Sequence, residues 1–149
     1  MGSQTRRYIF LQGIEDKKVY YFSSPKLNTP VPHYYICIKR TDNDVLILSC
    51  CTSQDDTIIK FINYNHLPYT TLVWVTAKDP SNPFTVETFV NCNQYHLYSV
   101  DEFKQMYNSN TIDFSGEISD VHYEQIVVGL HSSPLIEPEI KELIPKSIQ

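Results

Sequence analysis

The chain has 149 residues, 42% hydrophobic and 19% charged, which fits one folded domain and excludes a disordered or low-complexity protein. A chain of this length hides about 70% of its unfolded surface, so it needs neither disulfides nor a metal to fold. A net charge of −5 argues against bulk electrostatic capture of nucleic acid, and 9 prolines against 4 glycines favour stiff extended segments over glycine-rich phosphate cradles.

The first thirty residues read as a hairpin and a strap. Tyr8–Leu11 and Val19–Phe22 are short aromatic and β-branched runs separated by Gly13–Asp16. The segment from Ser23 to Pro32 carries Pro25, Pro30 and Pro32, each of which biases its predecessor towards extended geometry. Tyr34–Ile38 and Val45–Cys51 flank the tetrad Thr41–Asp44 and form the clearest hairpin in the sequence. Both runs are apolar on both faces, as in central strands of a closed or covered sheet. Asp55 and Asp56 open a short helix carrying Ile58, Ile59, Phe61 and Ile62, which ends before Pro68. Leu72–Val75 and Thr85–Val90 are strands separated by a loop over Lys78–Pro83, and the second runs into Asn91–Gln94.

The period then changes. Ser99 and Glu102 form a capping box that starts a helix to about Tyr107. Asn108–Asn110 end it, and Thr111–Phe114 form a brief strand before Gly116. Ser119 caps a longer helix to about His131, with Tyr123, Ile126, Val127 and Leu130 on one face. Pro134 stops it, and Glu137–Leu143 form a last turn or helix. The expected organisation is a single α+β domain over 1–149. It has a hairpin and strap (1–30), a β-rich core (31–98) and a mainly helical tail (99–149).

The four cysteines lie in or beside apolar runs, with no C-x-x-C pair, and read as buried reduced thiols. Cys92, between two asparagines, looks the least buried of them. The N-terminus has no apolar core of a signal peptide, and Phe61–Ala77 is too interrupted to span a membrane, so a cytoplasmic protein is expected. No H-x-x-x-H or H-E-x-x-H spacing, P-loop, G-x-G-x-x-G or G-x-S-x-G occurs, and no cofactor is expected.

What remains is a polar cluster at strand ends. His33 stands at the mouth of one central strand and Thr52-Ser53-Gln54 at the exit of its partner; antiparallel pairing brings these ends together. An imidazole beside hydroxyl and amide donors suits recognition or cleavage of a phosphodiester, moving a proton while the donors steady the phosphate oxygens. Asn91, Asn93, Gln94 and His96 form a second polar end, and Lys39 or Arg40 is a candidate cation. The same polar residues also suit plain strand termination, with side chains bonded to local backbone.

The run Pro32–Ile38 followed by Leu46–Ser53, then Phe89–Gln94, then Gly116–Ser119 leading into a helix through Leu130, resembles the MazF/PemK-like toxins over about residues 30 to 135. The resemblance implies a small Src-homology-3-like antiparallel β-barrel with short helices. It also implies a homodimer that cleaves RNA without metal and an antitoxin partner. His33 stands where the family carries its catalytic arginine, and Pro32 precedes it instead of following. Thr52 and Ser53 keep the hydroxyl position, while this chain is acidic where family toxins are commonly basic. In this reading His33, Thr52 and Ser53 are catalytic, and Lys39, Arg40, Asn91, Asn93, Gln94 and His96 bind substrate. Two other readings fit the residues. One is a catalytically inactive interaction module whose abundant tyrosines (11) face a protein partner. The other is a single-strand-binding barrel that stacks bases on aromatics.

Overall fold

Strand β2 (His33–Arg40) and strand β3 (Val45–Thr52) are the hairpin that the two apolar runs predict, both reaching further than those runs. The turn between them is locked by its own polar residues. The Thr41 amide and hydroxyl donate to the Val45 carbonyl at 2.9 and 3.0 Å, and Asp44 takes a left-handed φ of 58° that aspartate tolerates. The computed structural model describes residues 13–26 and 31–146.

Around this hairpin the sheet grows in both directions, with all pairings antiparallel. Strand β1 (Lys18–Phe22) pairs with β2 on one side and with the late strand β7 (Ile112–Glu117) on the other. Tyr8–Leu11, the expected hairpin partner of Val19–Phe22, lies outside the described residues; both edges of β1 are taken by β2 and β7. On the far side β3 divides its partners. Val45–Leu48 pair with β6 (His96–Ser99), whereas Cys51 and Thr52 pair with β5 (Thr88–Asn91), which in turn carries β4 (Leu72–Val75).

The barrel expected from the resemblance is corrected here: the strand path β4-β5-β3-β2-β1-β7 is an open sheet, because its end strands β4 and β7 do not pair with each other. Strands β4, β5 and β6 have only four residues each, and β3 turns its two halves to different neighbours. Helix α3 (Asp120–Ser132) lies against β4 and the 3-10 turn Tyr69–Thr71.

The two-sided apolarity of the central strands follows from their position between two cores. On one face Val19, Ile36, Ile38, Ile47 and Cys51 meet Val73, Val75 and Val90, with Ile126, Val127 and Leu130 of α3. On the other, Tyr20, Phe22, Tyr35, Cys37, Leu46 and Leu48 meet Tyr98 and Phe103, the latter from helix α2 (Val100–Asn108). Alternation along each strand sends successive residues to opposite layers, and each large side chain buried there contributes about 1.5–3 kcal/mol. Helix α1 (Asp55–Tyr64) closes a third, smaller cluster through Ile58 and Ile62, with Leu67, Leu72 and Phe89.

Caps act where the sequence places them. In the α2 capping box the Glu102 amide donates to Ser99 Oγ, and the Ser99 amide to Glu102 Oε1, both at 3.0 Å. Ser119 Oγ accepts from the His122 amide at the start of α3, and Pro138 opens helix α4 (Pro138–Leu143). Cys37, Cys51 and Cys92 are buried and Cys50 partly so, all as free thiols. Burial pushes the Cys92 thiol up to about 12 and Cys50 to about 11, so neither is a reactive thiolate near neutral pH.

Candidate active site

His33 is the first residue of β2, and β3 ends at Thr52. The register that puts Tyr35 opposite Cys50 carries the two strand ends to one another, and His33 Nδ1 lies 3.3 Å from the Cys51 carbonyl. A carbonyl only accepts, so in the neutral ring Nδ1 holds the proton and Nε2 is left as the basic nitrogen. Thr52 Oγ1 accepts from the Gln54 amide at 3.1 Å, which leaves its hydroxyl hydrogen to donate elsewhere. Ser53 and Gln54 are exposed. Helix α1 then begins with no side-chain cap on Gln54, leaving first-turn N–H groups to find partners outside the helix.

These residues border one open hollow of about 610 Å³ at the end of the sheet. His33, Thr52, Ser53, Gln54 and Thr88 supply its polar lining, and Tyr21, Val31, Tyr34 and Val86 its aromatic and aliphatic lining. None of the described residues lining it is Lys, Arg, Asp or Glu. The described lining therefore offers one imidazole and several neutral donors.

The other expected site residues lie elsewhere. Lys39 and Arg40 stand at the opposite end of β2, on the order of 20 Å away at ~3.3 Å per residue. Arg40 is a structural tie, with Nη1 donating to the Ile14 carbonyl at 2.8 Å and Nη2 to Asp44 Oδ1 at 3.0 Å. Lys39 Nζ is 3.9 Å from Asp16. Asn91 and Asn93 terminate a strand, as the alternative reading of the sequence allowed. Asn93 Nδ2 donates to Asn91 Oδ1 and to Thr71 Oγ1, and Ser133 Oγ donates to Asn93 Oδ1, tying β5 to the 3-10 turn and the end of α3. Gln94 is exposed in the turn that follows and does not line the hollow. His96 lies on β6 opposite Leu48, its ring edge-on to Tyr35 at 5.8 Å and its Nε2 buried without a hydrogen-bond partner. Burial, and after it the neighbouring His33 and Lys26, holds the His96 pKa below its ordinary value. The residue is only partly buried, and it does not line the hollow.

Tyr21, Tyr34 and Val86 are lining residues that the sequence reading did not place at the site. The signal for the tyrosines is register. Once β1 pairs with β2, Tyr21 and Tyr34 face each other beside the pair Phe22 and His33. Among the described residues no group of three His, Cys, Asp or Glu side chains is arranged to hold a metal ion, and no helix is long and apolar enough to cross a membrane.

No protein-family model matches the sequence, and no curated protein matches it. Among solved structures the chain is similar to an endoribonuclease in complex with its cognate antitoxin from a mycobacterial species. The TM-score is 0.51 at 13% identity, over 80% of this chain and 92% of that one. The likeness is one of fold: an antiparallel α+β domain that has most of its length in common with that enzyme chain.

Proposed function

We propose that this chain is a metal-independent endoribonuclease of the toxin–antitoxin kind, acting in the cytoplasm as a homodimer of MazF/PemK-like type and restrained by a protein antitoxin. The observation that carries the reading is the convergence of His33, Thr52 and Ser53 on one solvent-open hollow, in a fold similar to that of an endoribonuclease bound to its antitoxin.

In this reading His33 Nε2 takes the proton from a ribose 2′-hydroxyl. The 2′-oxygen forms a bond to the adjacent phosphorus, the bond from phosphorus to the 5′-oxygen breaks, and the departing oxygen takes a proton from water in the open hollow. The products are a 2′,3′-cyclic phosphate and a 5′-hydroxyl. The Thr52 and Ser53 hydroxyls donate to the non-bridging oxygens as charge develops, and the uncapped start of α1 adds its N–H groups and the positive end of its dipole. Asp55 and Asp56 in the first turn offset part of that field.

The test is incubation of the purified protein with a mixed RNA pool in EDTA, with the product ends mapped. Cyclic-phosphate ends are expected, and His33→Ala is expected to slow cleavage at least ~10²-fold, the scale of losing a general base. Cleavage that survives His33→Ala unchanged removes that residue from the chemistry. That none of the described lining residues is lysine or arginine favours a second reading, a catalytically inactive module that binds a protein partner. Intact RNA, with expression tolerated in cells lacking the partner, selects it.

A further inference from the structure

The lining of the hollow is divided between hydrogen-bonding and aromatic surface, and the aromatic part has its own construction. Tyr21 and Tyr34 are directly opposed across β1 and β2, with ring centroids 4.7 Å apart and planes tilted by 44°. Tyr34 is also held edge-on by Phe84 at 5.2 Å, and Phe84 is buried in the core. Both tyrosines are half-buried, so each ring keeps surface towards the hollow that it lines. The next register pair along the same two strands is Phe22 with His33; strand alternation sends its side chains from the opposite face, and the ring pair and the imidazole come to one hollow at the strand end, which Tyr21, Tyr34 and His33 all line.

We propose that Tyr21 and Tyr34 form a stacking shelf for one unpaired nucleobase of the strand whose phosphate meets His33, Thr52 and Ser53. The inference rests on the RNA reading of this hollow and adds a binding subsite to it. Its argument is one of supply. Among the described lining residues a phosphate in the hollow meets neutral donors and no lysine or arginine, so these residues offer little counter-ion release, the usual source of affinity for a nucleic-acid strand. A nucleobase has a π-face of the kind that two fixed phenol rings accept, and stacking needs no charge. A cleft of about 610 Å³ also lies within the usual 300–1,000 Å³ range of small-molecule sites, which suits a nucleotide unit and not a duplex.

The probe is a short 2′-O-methyl RNA, which lacks the attacking hydroxyl, carrying 2-aminopurine at one position, with a matched oligonucleotide that is abasic there. Binding to the wild-type protein should quench the 2-aminopurine, and the abasic probe should bind about tenfold more weakly, the scale of one lost base–aromatic stack. Tyr21→Phe should keep both properties. Tyr21→Ala should lose the quench and bind the two probes equally. Equal wild-type affinity for the two probes overturns the shelf without any variant having to fold, as does failure of the wild type to bind either. An unchanged quench in Tyr21→Ala overturns it as well. Cleavage of unmodified RNA is scored separately in the same preparation, so loss of the shelf and loss of the ribonuclease reading give different results.

Discussion

At position 96 the imidazole is partly buried, and its Nε2 is out of reach of water and without a hydrogen-bond partner. Burial makes the protonated form costly, so the folded-state pKa lies below the ordinary 6.5, whereas the unfolded chain protonates near that value. Between those values the unfolded state binds more protons than the folded one. Folding stability is therefore unaffected above about pH 7 and falls as the pH drops through 6.5 and below. Thermal melts of wild type and His96→Gln at pH 7.5 and 5.5 check this: the wild type should lose more melting temperature on acidification, and parallel losses would exclude His96 as the source. The same residue marks a limit of reading by sequence. His33 and His96 both stand beside polar neighbours in the chain, and only pairing separates them. His33 begins a strand that opens on solvent, whereas β6 carries His96 alongside Leu48 and against Tyr35. Lys39 and Arg40 illustrate the converse: they belong to the same strand as His33, but strand length carries them to its far end, where Asp16, Asp44 and the Ile14 carbonyl engage them.

Helix α3 is seated by a missing side chain. A Cβ added at Gly129 would lie 2.7 Å from Cys92 Sγ and 2.8 Å from the Thr70 carbonyl oxygen. The carbonyl belongs to the backbone of the 3-10 turn itself and has no alternative rotamer. Gly129→Ala should therefore push the helix off the turn and destabilise the protein by about 1–3 kcal/mol, the range for overpacking a core, despite alanine's better helix propensity. The midpoint of urea unfolding reads this directly. Ser99→Ala, which removes a cap and half of a capping box, should cost about 1 kcal/mol in the same experiment. Elements with strong local signals were legible: the 33–52 hairpin, the acidic start of α1 and the capping box of α2. Strand β6 was not, because its four residues run straight into α2 and expose Leu97, so no apolar run announces it. Strand β5 begins at Thr88 and not at Thr85, since the carboxylate of Glu87 is occupied in a loop contact with Thr76 and the Ala77 amide. Strand β7 runs on to Glu117 because β1, about a hundred residues earlier, supplies the pairing.

Over the whole molecule the net charge of −5 and the absence of lysine and arginine among the described lining residues of the hollow combine into a salt prediction. With at most about one phosphate neutralised, affinity for a short single-stranded RNA should fall less than about threefold between roughly 50 and 200 mM salt. A loss of tenfold or more, measured by anisotropy, would place the strand on lysines and arginines outside the hollow. The open sheet has a related consequence at this scale. Strand β3 belongs to both halves of the sheet, paired through its first residues with β6 and through its last with β5, while β2 runs along its other edge. The mouth of the hollow thus shares a backbone segment with the innermost layer of the protein, and loosening it means unzipping that layer. Amide hydrogen exchange at Cys51 and Thr52 should consequently be as slow as at Leu46 and Leu48, tracking global opening and not a local breathing motion. A substrate would meet a rim set in place before it arrives.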